Sequence, residues 1–153
     1  MMLSRRPLTN QIKTTLAAAP LVTDVGVAHA PANVGWNGQP NQQGSNFRPY
    51  AVLSPGASGP YTGPVGGNLQ DWQLPYMVTT FGISPDQVEL IADNLRFQFV
   101  TLKNEQLVLG DYTYKVQQVR IESIGSIQRV EVTEPPYYGQ TDSYSVWLSK
   151  EPS

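Results

Sequence analysis

Few residues in this chain could do chemistry, and their spacing argues against catalysis. The single histidine, His29, has no cysteine to join it, because the chain contains none; thiolate metal sites and a thiol nucleophile are therefore excluded. No Gly-x-Ser-x-Gly elbow is present, and His29 alone would have to serve any Ser/His/Asp triad. Read as an isolated histidine, it belongs to a loop or a strand end. Asp86, Glu89 and Asp93 recur at spacings of three and four, which would set a row of carboxylates along one helix face. A solvated face with Asp86 at the positive helix end accounts for them, with metal binding as the alternative. Gly63-Pro64-Val65-Gly66-Gly67-Asn68 is rich in glycine but lacks the lysine and the following helix that a phosphate cradle uses. Arg5 and Arg6 form a cationic pair ahead of a helix, suited to solvent or to a phosphate backbone. No catalytic residue, cofactor site or metal site is expected, so the chain reads as a protein that binds or builds and not as an enzyme.

The aromatic residues carry more information. Residues 31–70 hold 14 of the 26 glycines and prolines and one charged side chain, Arg48. Around a short apolar island, Phe47 to Leu53, this leaves two loops, about 31–46 and 54–70, longer than compact domains normally contain. Ordering such loops costs roughly 1–2 kcal/mol of backbone entropy per residue, so something must hold them. Trp36, Phe47, Tyr50 and Tyr61 lie in or beside them, and Tyr137 and Tyr138 lie in a late proline-rich turn, Pro135 to Gly139. A loop tryptophan either folds back over its own core or anchors an interface, and the scarcity of charge here favours the interface. The expected interface residues are Trp36, Phe47, Arg48, Tyr50, Tyr61, Tyr137 and Tyr138. Trp72 and Trp147 fall in strand patterns and are expected in the core or on a sheet face.

The elements that must position these residues are legible from periodicity. Pro7 to Ala19 reads as a helix, with Leu8, Ile12, Leu16 and Ala19 on one stripe, Ser4 as a cap and Pro20 as a stop. Leu21 to Ala28 and Phe47 to Leu53 read as strands, the second weakened by Pro49. Asp71 to Phe81 is a strand in which Trp72, Leu74, Tyr76 and Val78 share a face, and it forms a hairpin with the strand before it. Ser84-Pro85-Asp86-Gln87 is a capping box with proline in the first helical turn. Val88, Ile91, Ala92, Leu95 and Phe99 then make the buried stripe of a helix reaching about Phe99. Strands follow at Asp111 to Glu122, Ile127 to Thr133 and Ser143 to Leu148. The order α-β-β-β-α-β-β-β predicts one α+β domain over residues 1–153, an antiparallel or mixed sheet with two helices packed on it.

Composition narrows the class. The chain has 153 residues, enough for a substantial core; 40% are hydrophobic and only 14% charged, against about 25% in ordinary soluble domains. A surface so poor in charge suits a subunit covered by neighbours. The net charge of −2 is scattered, with no basic stripe for nucleic acid. The absence of cysteine fits synthesis in a reducing cytosol. The N-terminal segment resembles a signal peptide superficially, but polar residues from Thr9 to Thr15 interrupt its apolar core. No run approaches the roughly 20 apolar residues of a membrane span.

One layout emerges from these elements. A short N-terminal helix leads through a strand and a long loop to Arg48-Pro49-Tyr50-Ala51-Val52-Leu53. A strand ending Tyr76-Met77-Val78-Thr79-Thr80-Phe81-Gly82 runs directly into the capped helix at Ser84, and Tyr144-Ser145-Val146-Trp147-Leu148 lies near the end. Over about the whole chain this layout resembles the tail terminator proteins of long-tailed double-stranded DNA phages, small α+β proteins that cap the tail tube as a ring, usually of six subunits. The resemblance implies a virion protein of the tail/neck junction, assembled in the host cytoplasm, with no catalytic residue or cofactor. Its partners would be further copies of itself, the tail tube protein and a head-completion or stopper protein of the neck. DNA would pass through the lumen without sequence-specific binding. Six copies of a −2 chain carry about −12, and an acidic lumen would let DNA slide, since phosphate affinity comes mainly from Lys and Arg. A head–tail stopper or adaptor, or a tail-tube-like neck subunit, shares much of this layout. A carbohydrate- or peptide-binding α+β module with an aromatic site is the alternative from another class.

Overall fold

The computed structural model describes residues 5–19, 24–37, 46–56, 71–109, 112–130 and 136–151. Two helices pack on one mixed sheet, as the periodicity implies. The first helix, α1 (Arg6–Ala17), carries Pro7 in its first turn and buries Leu8, Ile12 and Leu16. Arg5 occupies the cap position without a side-chain hydrogen bond to the helix end, and the expected Ser4 cap lies outside the described residues. The second helix, α2 (Pro85–Val100), starts as its capping box dictates. The Gln87 N–H donates to Ser84 Oγ at 3.2 Å, and Gln87 Oε1 accepts from the Ile83 N–H at 2.8 Å. Val88, Ile91, Ala92, Leu95 and Phe99 are all buried. Beyond the helix, Asn104 takes up the left-handed backbone region that asparagine tolerates, with φ 76°, and turns the chain into the next strand.

Nine strands are present among the described residues: β1 (Val25–Val27), β2 (Gly35–Asn37), β3 (Asn46–Arg48), β4 (Tyr50–Pro55), β5 (Asp71–Gly82), β6 (Gln106–Leu109), β7 (Tyr112–Ile124), β8 (Gln128–Val130) and β9 (Tyr137–Lys150). The main sheet runs β1-β4-β5-β9-β7-β6, with β8 also on β9. β1 lies parallel to β4, and every other pairing is antiparallel. The expected hairpin is β4–β5, in register from Tyr50↔Phe81 to Pro55↔Tyr76. β9 lies in the middle of the sheet, against β5 from Asp71↔Ser149 to Gly82↔Tyr138.

Several expectations are corrected. The island from Phe47 to Leu53 is not one strand. Pro49 has no N–H to give a ladder, and the chain breaks there into β3 and β4, which belong to different sheets. The loop expected over 31–46 contains β2, whose Trp36 sits opposite Phe47 in a small two-stranded sheet with β3. The late turn is shorter than expected, because Tyr137, Tyr138 and Gly139 already belong to β9, where aromatic residues suit a strand. β6 extends the strand list, and β1 and β8 fall within the strands expected around them, of which residues 21–23 and 131–133 lie outside the described set. The second expected loop begins only after Pro55, and residues 57–70 lie outside the described set.

Alternation sorts the sheet into two faces. Leu74, Tyr76, Val78 and Thr80 of β5, Ala51 and Leu53 of β4, Tyr144, Val146 and Leu148 of β9, and Tyr114 and Val116 of β7 are buried; their apolar members share one core with α1 and α2. At its centre Phe99 of α2 lies flat on Tyr144, with ring centroids 4.1 Å apart. Each such side chain contributes about 1.5–3 kcal/mol by leaving water. α1 touches both β1 and β6, the strands at opposite ends of the sheet, so the sheet curls around it. Thr9 on α1 ties into the sheet through the Tyr76 hydroxyl at 2.8 Å.

Candidate functional site

On the face turned away from the helices, five aromatic rings gather at one end of the sheet. Tyr50 and Phe81, opposite each other across the β4–β5 hairpin, stack with centroids 4.8 Å apart. Tyr137 meets Phe81 edge-on at 5.9 Å and stacks on Phe47 at 5.4 Å. Phe47 also lies 6.4 Å from Tyr50 and receives the Trp36 ring edge-on at 5.6 Å. Offset stacks and edge contacts are the favourable geometries for ring quadrupoles, worth about 0.5–1.5 kcal/mol per pair beyond area burial. All five side chains are half-buried, so the cluster is held together and still presents apolar surface. Gly139 makes room for it, since a Cβ there would come within 3.0 Å of the Phe81 ring.

Each element brings its ring for a local reason. Trp36 and Phe47 oppose each other because the β2–β3 register places them so. Arg48 ends that hairpin and holds it to the main sheet through Asp24, with Nη2 and Oδ2 2.8 Å apart in a contact not aligned as a hydrogen bond. Burial, then the nearby Tyr137 phenol, pushes the Tyr50 hydroxyl above the usual tyrosine range. The Trp36 indole N–H is buried with no acceptor among the described residues. Phe81 also walls a groove of about 380 Å³ lined by Thr79, Thr141, Gln128, Val130 and Gly139, which extends the apolar surface along the sheet.

Of the residues expected at an interface, Trp36, Phe47, Tyr50 and Tyr137 therefore come together, and Arg48 braces them. Tyr138 lies between Gly82 of β5 and Arg129 of β8 and alternates to the opposite face. Tyr61 lies outside the described residues, as do Gly63 to Asn68. Phe81 was not among the expected site residues, although its place opposite Tyr50 follows once the hairpin is in register.

The other candidates lie elsewhere on the fold. His29 is exposed just after β1, and its Nδ1 is 2.8 Å from the Val27 carbonyl. Asp86, Glu89 and Asp93 are exposed on α2, and no cluster of metal-ligating side chains occurs among the described residues. Arg5 packs 4.4 Å from the Tyr76 ring centre and donates to the Pro75 carbonyl at 2.6 Å. Arg6 lines a shallow groove with Lys13. Trp147 is on the sheet face, partly exposed.

A buried polar knot went unexpected. Asp142 on β9, 3% exposed, accepts from Arg96 at 2.7 Å, from Gln140 Nε2 at 3.0 Å and from the Gly125 N–H at 3.2 Å. Asp93 pairs with Arg96 from the solvent side. Burial opposes the Arg96 charge, but Asp142 and Asp93 more than offset it and hold its pKa above the ordinary value. The signal was present, because Asp142 falls in phase with Tyr144, Val146 and Leu148 and so at a core position. With the Gly125 N–H also bonded to the Thr141 carbonyl at 3.0 Å, the knot pins the break between β7 and β8 against β9. Both carboxylate oxygens of Asp142 are thereby engaged within the fold.

No protein-family model matches the chain, and no curated protein matches it. Several solved chains match; one of them aligns over 97% of this chain and 94% of its own, at 14% identity and a TM-score of 0.49.

Proposed function

We propose that this chain is a structural virion protein, the tail terminator of a long-tailed double-stranded DNA phage. In this reading a ring of six copies caps the tail tube, stops its polymerisation and offers the surface on which the filled head docks through the neck. The supporting observation is the half-buried cluster of Trp36, Phe47, Tyr50, Phe81 and Tyr137, built largely from the least charged part of the sequence. Interface cores are depleted in charge and enriched in aromatic residues, and this surface has that composition. A subunit that contacts two neighbours, tube and neck has little need of the charge that keeps free monomers soluble, which accords with a charged fraction of 14%. The partners are further copies of the chain, the tube subunit and the neck protein, with DNA passing through the lumen.

Imaging phage particles assembled without this protein tests the reading. Tails of uncontrolled length and unattached filled heads are expected; tails of normal length joined to heads would overturn it.

A further inference from the structure

β7 is paired with β9 along one side from Tyr114 to Ile124. Its other side is paired with β6 only from Tyr112 to Lys115. Val116 completes that side, its N–H donating to the Glu105 carbonyl at 2.9 Å and its carbonyl accepting from the Asn104 N–H at 2.8 Å. Beyond it, no described residue pairs with the outer side of Gln118–Ile124. Among the described residues this leaves an open edge of seven residues on which all but Val119 are exposed, Ile121 by 39% and Ile124 by 59%. An open edge is a template for another strand, and proteins usually blunt theirs with charge. The charges on this edge are Arg120 and Glu122, opposite in sign, two residues apart and 3.8 Å from each other.

We propose that two copies of this chain associate by antiparallel pairing of their Gln118–Ile124 edges about a two-fold axis at Ile121. Two independent observations choose this register. Gln118, Arg120 and Ser123 turn their backbone groups to β9 and Glu122 is the extra residue of a bulge, so the outward-facing groups are those of Val119, Ile121 and Ile124; an axis at Ile121, the middle one, sets Val119 opposite Ile124 across the bulge. The same axis sets Arg120 of each copy opposite Glu122 of the other, giving two cross-strand ion pairs. An axis one residue earlier would set Arg120 against itself, and one residue later Glu122 against itself, and like charges directly opposite are destabilising. The edge therefore admits a second copy in one register and rejects its neighbours. β7 also carries irregularities between Val116 and Gln118 and between Ile121 and Ser123, which add local twist. A second copy brings the matching twist by symmetry.

This pairing stands apart from the ring. A two-fold contact closes on itself, whereas a ring joins two different surfaces of each subunit. Sedimentation velocity of the full chain over a range of concentrations tests it. The wild type is expected to form dimers. Arg120→Glu alone, or Glu122→Arg alone, sets like charges across the axis twice and should raise the dimer dissociation constant about tenfold or more, with the circular dichroism spectrum unchanged. The double exchange should restore pairing. Mixing the two single variants should produce a mixed dimer, because each then supplies the charge the other lacks. A wild type monomeric at every concentration, single variants that pair as tightly as wild type, or a mixture that stays apart would each overturn the proposal. Larger oligomers indifferent to these charges would overturn it while leaving the ring standing; normal tails in particles lacking the protein would remove the ring and leave the pair.

Discussion

At the scale of single residues, Tyr144 shows how the core constrains ionisation. Its ring lies against Phe99, and its hydroxyl is buried with no hydrogen-bond partner among the described residues. Burial is the main reason its pKa stands far above the ordinary phenol range; the Asp142 carboxylate adds to the rise and Arg96 opposes it. The folded chain thus holds this proton more tightly than the unfolded chain. Tyr144's share of stability is complete below about pH 10, the unfolded value, and is lost as pH rises toward the folded one. Denaturant melts taken at increasing alkaline pH should show that loss, with a slope of up to about 1.4 kcal/mol per pH unit from this one proton. Tyr144→Phe should flatten the slope, leaving the part due to Tyr50, whose pKa is also raised. At neutral pH the same substitution should be neutral or stabilising by about 1 kcal/mol, since it deletes a buried polar group without orphaning a partner. A loss of several kcal/mol would mean that the hydroxyl has a partner.

At the scale of elements, α2 and the β2–β3 hairpin should respond differently to mutation. Leu95 is 1% exposed in the shared core, so Leu95→Asp buries an unpaired charge at a cost of several kcal/mol and should unfold the chain. Trp36→Ala removes one ring from a half-buried cluster and should cost about 2–3 kcal/mol, less than a fully buried tryptophan. It should still weaken assembly, read as the fraction of tails capped when the variant is supplied. Equal thermal destabilisation by the two would make the aromatic cluster a lid on the core and not a docking surface. The same contrast separates what was legible in sequence from what was not. α2 was readable residue by residue, because a capping box and a buried stripe are local signals. The long strand β5 was readable from alternation. β2 and β6 were not, because three or four residues carry no period and their partners lie elsewhere in the chain. The aromatic residues of the candidate site were identifiable by type and by their uncharged surroundings. Their convergence was not, since it needs the β4–β5 register, the break at Pro49 and the extension of β9 back to Tyr137, all tertiary facts.

At the scale of the whole molecule, the sheet is organised about β9, which β5, β7 and β8 all pair with. Without it, β1-β4-β5 and β6-β7 would be two separate fragments with open inner edges, and the helices would have no continuous surface to cover. A chain ending before Tyr137 should therefore fail to fold and should partition into the insoluble fraction; a soluble truncated chain with native-like near-ultraviolet circular dichroism would show that the fragments stand alone. β9 is also made last among the described strands. During synthesis β5 and β7 must wait, on the order of seconds, for the segment that pairs with both, leaving long unpaired strand edges and an uncovered apolar face meanwhile. The ribosome thus delivers the keystone after the arch, and the half-built sheet is the form of this protein that a holding chaperone would meet.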